Sequence, residues 1–227
     1  MISAVIVAAG RGTRMGPDRD KLWLEVAGRP VIAHTWGRFD AVAAVDEIVI
    51  VVREGLQGQF AELAQRFGFQ KPYRLVPGGA ERQDSVWNGL QALGPGEEIV
   101  AVQDGARPCT SEELILATIA AARETGAAVA AQPVTDTIKE TGDGRTILRT
   151  VDRSRLWAVQ TPQTFRVEVL RRAIQTARER GLKLTDDTAA CELIGQAVRL
   201  VSAAGANPKV TVPADLLLVE SLLRPVV

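Results

Sequence analysis

The run AVIVAAGRGTRMG at residues 4–16 joins two opposite chemistries. Small and β-branched apolar residues come first, as in a buried strand, and a loop of glycine and arginine follows. Ala8, Ala9, Gly10 and Gly12 let the backbone approach a ligand closely, and the free N–H groups of such a loop hold phosphate oxygens. Arg11, Arg14 and then Lys21 bring positive charge into the same stretch. The spacing fits neither G-x-G-x-x-G nor the Walker pattern ending in Gly-Lys-Ser or Gly-Lys-Thr, so a dinucleotide fold and a P-loop ATPase lose ground. Taken by itself, the segment also reads as an ordinary turn with solvated arginines.

Working outward, runs of Val, Ile and Ala recur at 2–8, 47–52, 99–103 and 127–134, separated by longer segments of helical periodicity. Alternation of this kind predicts an α/β fold, a single three-layer Rossmann-like domain with a mostly parallel sheet and helices on both faces. Val86, Leu90 and Leu93 repeat at helical spacing, and Thr110 followed by Glu113 reads as a capping box opening another helix. Between 137 and 150 the turn residues Thr141, Gly142, Asp143 and Gly144 predict an inserted β-hairpin. An isolated hairpin is marginal in water, so an arm at about 137–155 is expected to pack on a second subunit. Pro213 is placed to start a closing helix over 214–223. No linker or repeat divides the chain, and 1–227 reads as one domain.

Composition narrows the partners. With 227 residues, 46% hydrophobic, the chain can bury roughly 70–75% of its unfolded surface and needs no staples. Its 27 basic side chains equal its 27 acidic ones, which argues against nucleic-acid binding, since that relies on a surplus of cations facing phosphates. Only 4% of residues are aromatic, too few for a row of base-stacking platforms. Cys109 and Cys191 lie far apart in no metal-ligand spacing and read as small buried hydrophobes. The opening run lacks a basic leader, and no stretch of about 20 apolar residues exists to span a membrane. A cytoplasmic protein is the expectation.

Further segments sharpen the reading. They are VPGGAERQDSV at 76–86, QDGARP at 103–108, PVTDTIK at 133–139, TVDRSRLWAVQTPQTF at 150–165, LTDDTAACE at 184–192 and NPKVTVPADL at 207–216. With AAGRGTRMG and Lys21, these ordered segments resemble the 2-C-methyl-D-erythritol 4-phosphate cytidylyltransferases. The resemblance implies transfer of CMP from CTP to methylerythritol phosphate, with release of pyrophosphate, in non-mevalonate isoprenoid synthesis. It implies Arg14 and Lys21 as cations stabilising the transition state, with the amides of Gly10, Arg11, Gly12 and Thr13 around the triphosphate. It places Ala8, Ala9, Gly78, Gly79 and Ser85 around cytosine and ribose. Ser85 reads equally as a helix cap.

Asp104 follows an apolar run at the carboxyl end of a strand, where ligands of open α/β sheets collect. Beside a triphosphate it is expected to help hold Mg²⁺ or another divalent cation, directly or through water. The resemblance implies that Gly105 adjoins the nucleotide, at a position where the family pattern carries a second alanine. For the acceptor, the resemblance implies Arg153 and Lys209 as the orienting cations, with Thr137, Thr161 and Thr185 as hydroxyl partners and Arg107 on a phosphate, although Arg107 by itself also reads as the partner of an acid. Thr185 with Asp186 also suits a helix start. Arg153 and Thr137 flank the hairpin, so a homodimer is expected in which each acceptor site is completed by the other chain. His34, the only histidine, lacks a partner acid or nucleophile and reads as structural, as do Trp23, Trp36, Trp87 and Trp157. Ribitol 5-phosphate or another polyol phosphate is the competing acceptor. A catalytically inert nucleotide-binding regulator on the same fold is the competing class.

Overall fold

The computed structural model describes residues 1–10, 12 and 20–224. β1 (Ile2–Ala8) leads to a small ribbon, β2 (Glu25–Val26) with β3 (Arg29–Pro30), then α1 (Val31–Ala41), β4 (Glu47–Val52), α2 (Gln57–Phe67) and β5 (Tyr73–Pro77). The alternation continues through α3 (Arg82–Gln91), β6 (Ile99–Asp104), α4 (Glu112–Thr125) and β7 (Ala127–Pro133). A second ribbon, β8 (Lys139–Thr141) with β9 (Ile147–Thr150), interrupts it. The chain then completes β10 (Trp157–Arg166), α5 (Val167–Glu179), α6 (Asp187–Leu193), β11 (Arg199–Ser202) and α7 (Asp215–Leu223).

Seven strands form one sheet in the order β11-β7-β10-β6-β1-β4-β5. β1 pairs in parallel with β4 and β6, β4 with β5, and β11 with β7, while β10 runs antiparallel to β6 and β7. Parallel strands covered on both faces read as continuous apolar runs, which is why β1, β4 and β6 are legible in the sequence. Successive side chains leave opposite faces of a strand. Ile2, Ala4, Ile6 and Ala8 therefore join Ile48, Ile50 and Val52 in a core closed by Trp36 and Phe39 of α1 and Phe60 of α2. Val5, Val49 and Val51 face the other core with Val86 and Leu90 of α3 and Leu170 and Ile174 of α5. The result is the expected three-layer α/β domain. Gly89 lets α3 lie close on the sheet, because a Cβ there would fall 2.6 Å from Val5 Cγ1.

Two expected helix starts are corrected. α4 is capped by Ser111, whose Oγ accepts from the Leu114 N–H at 3.2 Å, and not by Thr110. The Thr110 hydroxyl is buried among Gln103, Arg107 and Asn207 instead. The closing helix begins at Asp215, whose carboxylate accepts from the N–H groups of Thr211 and Val212.

The second ribbon has no core. Its strand residues are all exposed, with Ile147 at 61% and Leu148 at 66%. Its turn is pinned by Asp143, which accepts from the N–H groups of Thr146 and Arg145 and is held well below the usual carboxylate range by them. Among the described residues no helix is long and apolar enough to cross a membrane.

Candidate active site

β1 and β6 are neighbours, with Val7 opposite Asp104, so the two strands end side by side. Open α/β sheets leave a crevice at such carboxyl ends. A cavity of about 550 Å³ opens there, lined by Ala8, Ala9 and Gly10 after β1, Gly78 and Gly79 after β5, and Asp104 and Gly105 after β6. Lys21, Ser85 and Lys209 also face it. One wall depends on glycine: a Cβ on Gly78 would fall 2.3 Å from Ala9 Cβ and 3.1 Å from Ser85 Oγ.

Ser85 is not the cap of α3. Glu81 and Asp84 form the capping box, and Ser85, one position deeper, is buried. Its Oγ accepts from the Gly79 N–H at 3.1 Å and donates to the Glu81 carbonyl at 3.3 Å, fastening the glycine turn to the helix. Lys21 crosses Gly12, where a Cβ would lie 3.1 Å from Lys21 Cδ, and its Nζ donates to the Val210 carbonyl at 2.9 Å.

A second cavity of about 170 Å³ adjoins the first and is lined by Arg107, Thr161 and Thr185. Arg82, Asp104 and Lys209 line both. Asp104 is the hub: Lys209 Nζ lies 2.7 Å from its Oδ2, Arg82 Nε 3.4 Å from its Oδ1 and Arg107 Nε 3.8 Å from its Oδ2. Burial raises the Asp104 carboxyl, but the charges of Arg82, Lys209 and Arg107 outweigh it and hold the group at about 2. Thr161 Oγ1 accepts from the Asp104 N–H at 3.1 Å.

A buried amide holds this wall together. Asn207 donates through Nδ2 to the Thr161 carbonyl at 2.8 Å and to Gln160 Oε1 at 3.1 Å. Its Oδ1 accepts from Thr110, and its backbone carbonyl accepts from Arg107 Nη1 at 2.7 Å. Arg107 and the segment carrying Lys209 are thereby fixed to β10.

Thr137 and Arg153 do not join these cavities within one chain. Both are exposed, and the Arg153 guanidinium donates to the Thr135 carbonyl in the 3-10 turn after the ribbon. Arg11, Thr13 and Arg14 lie outside the described residues. Among the described residues no group of three or more His, Cys, Asp or Glu side chains converges as metal ligands. The His34 ring lies 2.7 Å from the Val26 carbonyl through Nε2, and burial lowers its pKa. Cys191 is buried and Cys109 partly so; burial pushes both thiols up, to about 12 and about 11. Trp36 is buried and stacked on Phe69, whereas Trp157 is 37% exposed at the stem of the ribbon.

Residue-by-residue reading of the sequence missed Arg82 and Asn207. Arg82 lies inside GGAERQDSV, but only the fold shows a helix start aimed at the end of β6. Asn207 precedes Lys209 by two positions and reads locally as a loop amide.

A model of the family described as IspD, 2-C-methyl-D-erythritol 4-phosphate cytidylyltransferase, matches residues 2–225. A relative with that enzyme name from Pelotomaculum thermopropionicum is 44% identical over 224 residues, spanning 98% of this chain and 94% of its own. Another from Bacillus licheniformis is 44% identical over 220 residues, spanning 97% and 94%. The crystal structure of 4-diphosphocytidyl-2C-methyl-D-erythritol synthase from Anaerococcus prevotii superposes with a TM-score of 0.86 at 32% identity, covering 98% of this chain and 95% of that one. By the match along its length and the shared architecture, the chain belongs to the 2-C-methyl-D-erythritol 4-phosphate cytidylyltransferase family.

Proposed function

We infer that the joined cavities divide two substrates between them, CTP in the larger and the phosphate of 2-C-methyl-D-erythritol 4-phosphate in the smaller. The chain is a cytidylyltransferase that moves CMP to that acceptor, giving 4-diphosphocytidyl-2-C-methyl-D-erythritol and pyrophosphate in isoprenoid precursor synthesis. The shared wall of Arg82, Asp104 and Lys209 carries the division, because there the two anions meet across fixed cations.

An acceptor phosphate oxygen attacking the α-phosphorus approaches a centre already surrounded by negative charge, and the departing pyrophosphate gains more. Fixed cations accelerate such a step when they act on the charge that develops. Lys21 faces the CTP cavity for this task, with Arg14 as its companion. Ala8, Ala9, Gly78 and Gly79 supply a narrow slot for a small base, with backbone donors and acceptors at its edge. Lys209, Arg107, Thr161 and Thr185 surround the acceptor phosphate. An acceptor phosphate is already ionised near neutral pH, so no general base is required and His34 stays structural.

Mg²⁺ keeps waters and binds through one or two carboxylates plus substrate phosphates. The site fits that mode and not an all-protein cage: Asp104 is ionised and faces the CTP cavity, without a cluster of ligating side chains around it among the described residues. Asp104 would hold the ion directly or through water, and the ion would offset triphosphate charge. The exposed Ile147 and Leu148 and the remote Arg153 and Thr137 support a homodimer, the ribbon delivering those two residues to the neighbour's acceptor cavity. A cytoplasmic location accords with these soluble substrates.

Incubation with CTP, Mg²⁺ and each acceptor tests the reaction through pyrophosphate release. Turnover of methylerythritol phosphate is expected; turnover of ribitol 5-phosphate alone rejects the acceptor assignment, and CTP binding without turnover indicates an inert regulator.

A further inference from the structure

Arg82 opens α3 between two carboxylates. Its Nη1 lies 2.9 Å from Asp187 Oδ2 and its Nε 3.4 Å from Asp104 Oδ1. Asp187 opens α6 with its side chain 1% exposed, and its backbone N–H donates to Gln163 Oε1 at 3.0 Å. Neither carboxylate oxygen of Asp187 meets an aligned hydrogen-bond donor among the described residues. Such a buried carboxylate is costly unless a charge stands beside it, and Arg82 is that charge. Burial opposes the Arg82 charge, but Asp187 and Asp104 outweigh it and raise the guanidinium pKa.

A guanidinium presents five N–H donors in a planar fork. Asp187 lies beside Nη1 and Asp104 beside Nε, while Nη2 meets no acceptor among the described residues. Arg82 faces both cavities, whereas Lys21 faces only the larger and Arg107 only the smaller. Asp187 and Asp104 therefore hold two positions of the fork and leave Nη2 for a phosphoryl oxygen, the ligand a guanidinium recognises best.

We propose that Arg82 is a further catalytic residue of this transfer, contacting phosphoryl oxygens where the two cavities meet, and that Asp187 is the positioning residue that aims it. The proposal rests on the cytidylyl-transfer reading of the cavities.

The test compares the parent with Arg82→Gln, Arg82→Lys, Asp187→Asn and the Arg82→Gln/Asp187→Asn double variant, reading pyrophosphate release and melting temperature. Arg82→Gln is expected to lower kcat about 100-fold, the scale of losing one transition-state donor. Arg82→Lys restores the melting temperature but stays at least about tenfold slow, because an ammonium lacks the fork. Asp187→Asn lowers kcat about tenfold with little change in either KM, and the double variant is no slower than Arg82→Gln, as residues acting as one unit require. Near-parental turnover in Arg82→Gln overturns the catalytic role, and additive losses in the double variant overturn the positioning role. If Arg82→Gln fails to fold, near-parental kcat in Arg82→Lys overturns the proposal. A parent that turns over neither methylerythritol phosphate nor ribitol 5-phosphate breaks the functional reading instead. Calorimetric titration with CTP then reads Arg82 separately: a Kd raised about tenfold in Arg82→Lys supports the contact and a parental Kd overturns it.

Discussion

Lys21 donates its Nζ to the carbonyl of Val210 at 2.9 Å, and Val210 donates its N–H to the Ala106 carbonyl at 2.8 Å. The turn bearing Lys21, the segment bearing Lys209 and the stretch just after β6 are thus fastened together. Lys21→Ala should lower kcat by about two to three orders of magnitude while CTP affinity falls far less, because a fixed charge is worth most where charge develops. The same outcome is expected for Arg14→Ala. Steady-state kinetics with a parallel CTP titration checks both, and parental kcat removes the assigned role.

Lys209→Ala and Arg153→Ala should act on the other substrate. Loss of a charge-assisted contact to the acceptor phosphate should raise its KM roughly tenfold or more, with a smaller change in the KM for CTP. Unchanged acceptor dependence in either variant contradicts its placement.

Asp104 gives the protein an acid-sensitive element. Its folded pKa of about 2 lies below the unfolded value, so the ionised group contributes stability that is complete above about pH 4 and lost as pH falls through about 2. The contribution is ~2 kcal/mol near neutrality. Asp187, raised by burial, works in the opposite sense, so comparison with Asp104→Asn isolates the effect. In denaturant titrations the parent's advantage over that variant should shrink on acidification; a constant gap disproves the assignment.

Gly78→Ala should weaken CTP binding about tenfold or more, since the new methyl meets Ala9 at 2.3 Å and one wall of the slot must shift. Calorimetry provides the check, with Gly94→Ala as the control, where a Cβ meets only the Arg74 Nη2 at 3.9 Å.

Leu148→Asp should yield monomers and abolish turnover together while each chain stays folded, because Leu148 is 66% exposed on a ribbon without a core. Sedimentation alongside the assay decides it: an active monomer ends the idea of a shared acceptor site.

Where burial is continuous, the sequence speaks plainly. β1, β4 and β6 are apolar on both faces, and small residues at 8–10 mark the loop after the first strand. β10 was harder to read, because Gln163 and Thr164 are buried through hydrogen bonds to Asp186, Asp187 and Thr118 that only tertiary contact supplies. Arg82 was hidden for the same reason: an arginine at a helix start is ordinarily solvated, and its buried counter-ion lies far along the chain. Ser85 resembled a cap, yet fastening Gly79 requires β5 and α3 to be in place first.

β10 starts at Trp157 on the exposed stem, passes Thr161 and Gln163 in the smaller cavity, with a register shift between Val159 and Gln163, and reaches the core at Phe165. Flanked by β6 and β7, it is one continuous strand that joins the exposed stem to Thr161 in the smaller cavity. Whatever grips the ribbon holds a handle on the pocket.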